Sequence, residues 1–358
     1  MKKLLIINRA QFGYHIDSYK YCQYLKNKFD ITYICLDSGQ DKIEESGINI
    51  IYVPHVNSFI KRGIGFIKAS REHIKNTNYD MVFIVYFLMS SLIKIGFHQN
   101  KFILDIRTGS VNINNNKRLL EDNILKIESL FFKNITIISE CLRHKLNLNI
   151  NKSHILPLGS DPISNNLKEF DEMNLIYVGT LNGREIEKTV FGLADFLKQE
   201  KENNIYQKIT YDIIGFGTEE NENILKSAIS ITNLNDIVTF HGRKKHDELN
   251  IYFDKANIGI SYIPITEHYQ CQPPTKTFEY INSGLFCIAT ATNIHKELIL
   301  KDNGIICLDN AKSFADTLSK FRKIRKTISS SDISNTLKNY YWKIIIKENL
   351  QKYLEKII

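Results

Sequence analysis

The sequence predicts two consecutive α/β domains, each built on a doubly wound parallel sheet. Two observations support this. The chain has 358 residues, of which 43% are hydrophobic and 24% are charged, which fits two globular domains better than one core. Short apolar runs rich in β-branched residues also alternate with amphipathic helical patterns along nearly the whole chain. Such alternation is typical of parallel sheets that helices cover on both faces.

The first series of elements occupies residues 1–160. Apolar runs predict strands at 2–8, 31–36, 48–53, 81–86, 101–105, 134–138 and 154–156. Apolar residues at helical spacing predict helices at 17–29, 65–74, 88–97, 118–132 and 140–146. We expect these elements to form the first domain.

The second series occupies residues 161–335. It predicts strands at 174–178, 209–214, 237–240, 258–261, 286–289 and 304–308, with helices at 185–198, 219–230, 247–253, 275–282 and 311–321. A long final helix beginning near residue 334 is expected, and we predict that residues 336–358 pack back on the first domain. The two domains would face each other across a cleft.

Cysteine usage and hydropathy point to the cytoplasm. The six cysteines are Cys22, Cys35, Cys141, Cys271, Cys287 and Cys307. None forms a CxxC pair, so buried free thiols in a reducing compartment are predicted rather than disulfides or a metal site. No apolar run reaches the length of a transmembrane helix. The run after Lys3 is too short for a signal peptide and is interpreted as a strand.

The positive charge is concentrated in the first domain. The chain has a net charge of +8, and residues 1–160 hold 22 Lys+Arg against 13 Asp+Glu. Such a field attracts anionic partners such as phospholipid or a pyrophosphate-linked substrate, although a solvated surface is the alternative. Nucleic acid is disfavoured, because no aromatic-lined strand platform accompanies the basic residues. The candidate membrane segment interleaves Ile60, Ile64, Phe66 and Ile67 with Lys61, Arg62, Lys68, Arg71 and Lys75.

The most specific motif runs from Pro274 to Gly284. Open parallel sheets bind ligands at the carboxyl ends of their strands, and Pro274 would start a helix there. Lys276 and Glu279 are three residues apart and share one helical face. The helix N-terminus and Lys276 suit a diphosphate, and the Glu279 carboxylate can accept two hydrogen bonds from a ribose diol. An ordinary exposed ion pair is the alternative.

A second motif follows the strand at 174–178. Gly179 and Thr180 end the strand, and Arg184 and Lys188 lie at the start of the next helix, where they could bind phosphate oxygens. A plain strand–loop–helix connection is the alternative. Gly215 and Gly217 form a weaker signal, since the third glycine of a dinucleotide fingerprint is missing and a tight turn explains them equally well.

The first domain offers candidate residues after two of its strands. Gly13 permits a close backbone approach to a ligand, and His15 could act as an acid or base or be a satisfied loop histidine. Asp105 and Arg107 end another strand and are either cleft residues or a local ion pair. We list His15, Asp105 and Arg107 as candidate catalytic residues.

These motifs resemble glycosyltransferase family 4, whose fold, called GT-B, has two Rossmann-like domains facing across a cleft. The resemblance is carried by Gly179, by the 215–217 turn, by Phe240-His241-Gly242 and by the Pro-x-Lys-x-x-Glu-Tyr run at 274–280. Leu156–Asp161 and Tyr341-Trp342 add to it. It implies retaining transfer from a UDP- or GDP-sugar without an obligatory metal. Glu279 would bind the ribose, Arg184 or Lys188 the diphosphate, and Gly13 would lie beside the donor.

Three positions depart from the family pattern. Cys271 stands where many members have the first of two glutamates, Thr180 replaces an arginine, and Arg107 replaces a histidine. We predict a hexosyltransferase at the inner face of the plasma membrane that builds a bacterial surface glycan such as O-antigen, capsule or lipopolysaccharide. Its acceptor would be lipid-linked or a polysaccharide. The alternatives are a GT-B sugar-nucleotide epimerase and a non-catalytic scaffold member of a glycan assembly complex.

Overall fold

A computed structural model describes residues 1–55, 58–98, 101–204 and 208–357, leaving out the Phe59 side chain. The chain divides into two compact units. Unit 1 comprises Met1–Gly159 together with Trp342–Ile358, and unit 2 comprises Ser160–Tyr341.

Unit 1 contains a seven-stranded sheet. Its strands are β1 (Lys2–Ile7), β2 (Phe29–Leu36), β3 (Ile48–Val53), β4 (Met81–Val85), β5 (Lys101–Ile106), β6 (Asn134–Ile137) and β7 (Ser153–Ile155). Its helices are α1 (Ile16–Leu25), α2 (Phe59–Asn76), α3 (Ser91–Lys94), α4 (Asn115–Ser129) and α5 (Glu140–Lys145). The strand order is β3-β2-β1-β4-β5-β6-β7, and every neighbouring pair is parallel.

Unit 2 contains a six-stranded sheet. Its strands are β8 (Met173–Thr180), β9 (Ile209–Phe216), β10 (Val238–Phe240), β11 (Ile258–Ser261), β12 (Phe286–Thr290) and β13 (Gly304–Cys307). Its helices are α6 (Glu187–Glu202), α7 (Glu219–Ile231), α8 (Asn250–Lys255), α9 (Thr275–Asn282), α10 (Asn293–Leu298), α11 (Ala311–Ile324) and α12 (Ser330–Thr336). The order β10-β9-β8-β11-β12-β13 is parallel throughout.

The prediction of two doubly wound α/β domains is therefore confirmed. Both sheets start with a central strand, extend first to one side and then switch to the other, so that β1 lies beside β4 and β8 beside β11. The central strands are buried because helices cover both faces, and every residue of β4, β11 and β12 is buried. The switch between β8 and β11 is where open sheets of this kind bind ligands.

The long final helix is interrupted, which corrects the prediction for this segment. Tyr341 has an extended backbone and bridges to Ser160, whose N–H donates to the carbonyl of Tyr340. Helical structure resumes as α13 (Trp342–Ile344), passes through a π-helical turn (Ile345–Gln351) and ends as α14 (Lys352–Ile357). Trp342 is buried edge-to-face against Tyr21, with ring centroids 6.3 Å apart. This packing anchors the terminal segment in unit 1.

The helix predicted at 88–97 is also shorter than expected. Only α3, Ser91–Lys94, is helical. Met89 has φ +70° and Gly96 has φ +84°, so left-handed backbone on each side stops the helix from extending.

The cysteine prediction holds for four residues and is wrong for two. Cys22, Cys35, Cys287 and Cys307 are buried free thiols. Neither Cys141 nor Cys271 is a free thiol, so the absence of a CxxC pair does not by itself predict free cysteines. Separately, none of the helices in the described ranges is long and apolar enough to cross a bilayer.

Candidate functional site

The candidate site of unit 2 lies at the carboxyl end of β8. Gly179 pairs with Gly215 of β9 there, and a Cβ at Gly215 would lie only 1.9 Å from the carbonyl oxygen of Gly179. Gly179 itself has φ +152°. The Tyr177 hydroxyl donates to the carbonyl of Thr180 at 2.6 Å, which fixes the end of the strand. Glycines thus allow the two strand ends to approach closely beside the loop that follows β8.

We expect Gly215→Ala to destabilise the protein by about 3 kcal/mol, because the added methyl group must displace the backbone of Gly179. Gly65→Ala provides the matched control. Gly65 lies in α2 with nothing within 4 Å of its Cβ position, so alanine there should stabilise by roughly 0.5–1 kcal/mol. Urea denaturation measures both changes. Equal stability of the two variants would show that the close strand approach at Gly215 is not required.

Lys276 lies next to this strand end and forms no salt bridge with a described residue. Its ammonium group is 4.0 Å from the centroid of the Tyr177 ring, and a Cβ at Gly179 would lie 3.6 Å from its Nζ. The side chain is half-buried and makes no hydrogen bond or ion pair within the described ranges. Burial and the nearby Arg184 guanidinium lower the pKa of Lys276 well below its ordinary value. A cation in this state favours an anionic ligand.

Arg184 is a second cation with unused donors. Its guanidinium stacks over the ring of Tyr269, with Cζ 4.3 Å from the ring centroid. Its Nη1 is buried and has no hydrogen-bond partner in the part of the chain that the structure describes. Arg184 is close enough to Lys276 to disfavour the charge of that lysine. Both cations therefore have hydrogen-bonding capacity for one shared anion.

Glu279 lies one helical turn beyond Lys276. Its carboxylate is half-buried and accepts no hydrogen bond from any described residue. Burial raises the pKa of Glu279 to about 7, against the opposing charge of Lys276. The helix α9 that carries both residues begins after Pro274 and has no side-chain cap, so its first N–H groups are not used by a capping side chain. The site thus combines two cations, a helix N-terminus and an acceptor carboxylate.

The other predicted donor-site residues shape the surrounding loops. Lys188 donates to the Glu185 carboxylate at 2.7 Å and to the carbonyl of Asp309 at 3.4 Å, so its charge is already paired. The Thr180 hydroxyl accepts from the Asn182 N–H at 3.2 Å. At Gly217 a Cβ would lie 3.0 Å from three neighbouring atoms, one of them in the Asn182 side chain.

Sequence reasoning missed the two tyrosines that support the cations. Tyr177 lies within β8, and Tyr269 follows β11 in a short 3₁₀ turn. Each ring faces a cation, which is a favourable arrangement of about 0.5–2 kcal/mol. The only signal in the sequence is an aromatic residue near the end of a strand, and core tyrosines give the same signal.

In unit 1, Asp105 and Arg107 are both buried. The Asp105 carboxylate accepts from the Thr136 hydroxyl at 2.7 Å, its second oxygen is buried without a partner among the described residues, and burial raises its pKa to about 7. The Nε of Arg107 donates to Asp17 at 2.6 Å, and its Nη1 donates to the carbonyl of Leu156 at 2.7 Å. Burial disfavours the Arg107 charge, but Asp17 raises its pKa above the ordinary value. These contacts tie the chain after β7 to α1.

His15 and Gly13 lie in the loop before α1. His15 Nδ1 accepts from the Ser18 N–H at 3.3 Å and caps that helix. Burial lowers the pKa of His15, which keeps the ring neutral at pH 7. Gly13 has φ +90°, and a Cβ there would lie 2.3 Å from Cδ1 of Ile43. Local structure therefore accounts for the presence of both residues, with or without a ligand.

Comparisons with known proteins identify a matching family model and solved structures with the same fold. Residues 172–323, which include every charged residue of the unit 2 site, match the family model described as Glycosyl transferases group 1. The fold is of the GT-B type, with two Rossmann-like α/β domains. A sucrose-phosphate synthase from Thermosynechococcus elongatus superposes with a TM-score of 0.78 at 15% identity, covering 99% of both chains.

Two further solved structures share the fold. The Anabaena Alr3699/HepE structure in complex with UDP-glucose has a TM-score of 0.74 at 11% identity, covering 99% of this chain and 100% of that one. The lipopolysaccharide outer core galactosyltransferase WaaB has a TM-score of 0.70 at 14% identity, covering 100% of both. No curated protein matches the sequence.

Proposed function

We propose that this protein is a retaining hexosyltransferase that transfers a sugar from a nucleotide-sugar donor to a glycan or lipid-linked acceptor. One observation carries the proposal: Lys276, Arg184 and Glu279 converge at the switch point of the unit 2 sheet, and none of them forms a salt bridge with a described residue. The residues lie within the segment that matches the group 1 glycosyltransferase model. Charges without salt bridges are typical of a binding site, because the bound ligand supplies the missing partners.

The two cations would bind the donor diphosphate. Arg184 offers a planar fork of donors, and Lys276 adds a point charge beside the uncapped N-terminus of α9. As the bond between sugar and diphosphate breaks, negative charge grows on the departing phosphate. Fixed cations stabilise that charge, which is commonly the largest single contribution to such catalysis. Structures of HepE with UDP-glucose and of an Escherichia coli protein with UDP-2-fluoro glucose favour a UDP-sugar as the first donor to test.

Glu279 would accept hydrogen bonds from the ribose hydroxyls. We expect Glu279→Gln to weaken UDP binding by about 1–3 kcal/mol, because a charged acceptor is replaced by a neutral one. The effect should depend on pH. Since the pKa of Glu279 is raised to about 7, the carboxylate gains charge between pH 6 and pH 8, and the affinity ratio of wild type to variant should rise over that range. Titration calorimetry with UDP at several pH values measures it.

The comparison of wild type with Glu279→Gln isolates the pH effect of Glu279. The phosphate groups of UDP titrate in the same range, but they change the affinity of both proteins equally. If the affinity ratio of wild type to variant stays constant with pH, the Glu279 carboxylate does not contact the ribose. A Glu279→Gln variant with unchanged affinity at every pH would remove Glu279 from the site.

The function itself is tested by screening nucleotide sugars for a rise in melting temperature, followed by a transfer assay with the stabilising donor. Bound donor stabilises the folded state in proportion to its affinity and concentration. A protein that binds no nucleotide sugar would not be a transferase of this kind. Analysis of the anomeric configuration of the product then tests the retaining stereochemistry.

We propose a lipid-linked or polysaccharide acceptor of a bacterial surface glycan, held at an anionic membrane by unit 1. The charge excess of residues 1–160 supports this. On α2, Ile60 and Ile64 are 71% and 59% exposed beside the exposed Lys61, Lys68 and Lys75. Phe66 and Ile67 are buried, and Arg71 donates to the carbonyls of Leu92 and Ile95, so these three residues anchor the helix instead.

A further inference from the structure

A basic cavity in unit 1 lies at the amino ends of three strands. Its volume is about 650 Å³, and its lining includes the residues that begin β5, β6 and β7. The terminal helical segment, including α14, forms the other wall. The basic lining residues are Lys101, Lys133, Lys152, Lys352 and Lys356. Ligands of the parallel sheet are expected at the opposite, carboxyl ends, so the proposed donor and acceptor functions do not explain this cavity.

The positive charges of the cavity are mostly uncompensated. The acidic lining residue Glu348 is bound by Lys352 at 2.5 Å, and Lys101 donates to the carbonyl of Ile357. The ammonium groups of Lys133, Lys152 and Lys356 make no ion pair or hydrogen bond with any described residue. Concentrating free ammonium groups around one cavity costs folding energy, and a bound anion relieves that cost.

Two further groups experience this positive field. Burial, and after it the charges of Lys133 and Lys152, lower the pKa of Lys94. Burial and the charge of Lys356 lower the pKa of His154. His154 stacks on Tyr353 with ring centroids 4.4 Å apart and an interplanar angle of 8°, and its Nε2 is buried without a partner in the described structure.

The surface beside the cavity is apolar. Ile150 lines it and is 64% exposed, while Leu130 and Phe131 are 69% and 49% exposed. Lys94 donates to the carbonyl of Phe131, which connects this apolar surface with the lysine cluster. Exposed large apolar side chains next to free lysines suit a ligand that carries both a phosphate and an apolar part.

We propose that this cavity is a second anion site of the protein, which takes the phosphate group of an anionic ligand. Lys133, Lys152 and Lys356 supply the free ammonium groups. The phosphate could be that of a phospholipid headgroup or of a soluble phosphate compound, since both present the same oxygens to the lysines. The site uses none of the residues of the proposed donor site.

The test compares charge reversals at two places in unit 1. Lys133→Glu/Lys152→Glu changes the cavity, and Lys61→Glu/Lys68→Glu makes the same change in net charge on α2. All four lysines are exposed, so both variants should fold. Titration calorimetry with inorganic phosphate and sedimentation with vesicles of phosphatidylglycerol in phosphatidylcholine are the two measurements. We expect the cavity variant to lose at least about tenfold in affinity in one of them.

The outcomes distinguish the ligands. Weakened phosphate binding in the cavity variant alone assigns a soluble phosphate ligand, and weakened vesicle binding in that variant assigns a lipid headgroup. If only the α2 variant loses vesicle binding, the α2 surface is supported as the bilayer contact. The phosphate measurement then decides whether the cavity binds an anion. The proposal is wrong if the cavity variant matches wild type in both measurements, or if Lys276→Gln abolishes phosphate binding while the cavity variant retains it.

Discussion

Replacing Lys276 by glutamine should lower kcat/KM for the donor by about 10²–10³-fold, the usual effect of removing one fixed group that stabilises transition-state charge. The same substitution should raise the melting temperature. Lys276 is half-buried and forms no salt bridge with a described residue, and its pKa is lowered by burial and by Arg184. Removing such a charge relieves a cost of about 1 kcal/mol or more, which corresponds to roughly 2–4 °C for a folding unit of the size of unit 2.

Opposite changes in activity and stability are characteristic of a residue kept for function. Lys188→Gln is the matched control, because Lys188 lies in the same region but is paired with Glu185 and the carbonyl of Asp309. We expect that variant to change activity only a few-fold and to lose up to about 1 kcal/mol of stability. Steady-state kinetics and thermal unfolding measure both. A Lys276→Gln protein with full activity, or one less stable than wild type, would contradict the assigned role.

Replacing Arg107 by methionine should destabilise unit 1 by about 3–5 kcal/mol, the usual cost of breaking a buried ion pair by removing one partner. The Asp17 carboxylate would remain buried without the 2.6 Å bond to Arg107, and the carbonyl of Leu156 would lose its 2.7 Å donor. The reason is structural, since these bonds connect the start of α1 to the chain that follows β7. Urea denaturation followed by circular dichroism measures the loss.

A second variant separates this role from catalysis. Asp17→Asn/Arg107→Met removes both charges, so it should recover part of the stability lost in Arg107→Met. If Arg107→Met instead keeps wild-type stability and loses only turnover, Arg107 acts on the reacting groups, as its position after a strand predicts. Unchanged stability together with unchanged turnover would leave Arg107 without either role.

Much of the fold could be predicted because its signals are local. The strands at Ile48–Val53 and Ile258–Ser261 and the helix at Thr275–Asn282 begin and end where the sequence places them. A run of buried residues between turn-forming residues marks a parallel strand regardless of what it pairs with. The predictions failed where long-range contacts decide local structure, as at Tyr341, whose bridge to Ser160 interrupts a helical pattern.

The sequence by itself determined two doubly wound α/β domains and a motif with Lys276 and Glu279 on one face of a helix, because both depend on spacing along the chain. Only the tertiary structure decided which charges are free. It pairs Lys188 with Glu185, leaves Arg184 stacked on Tyr269, and buries Arg107 against Asp17. The physical reason is that desolvation and pairing depend on neighbours distant in sequence, so identical residue types acquire different chemistry from their surroundings.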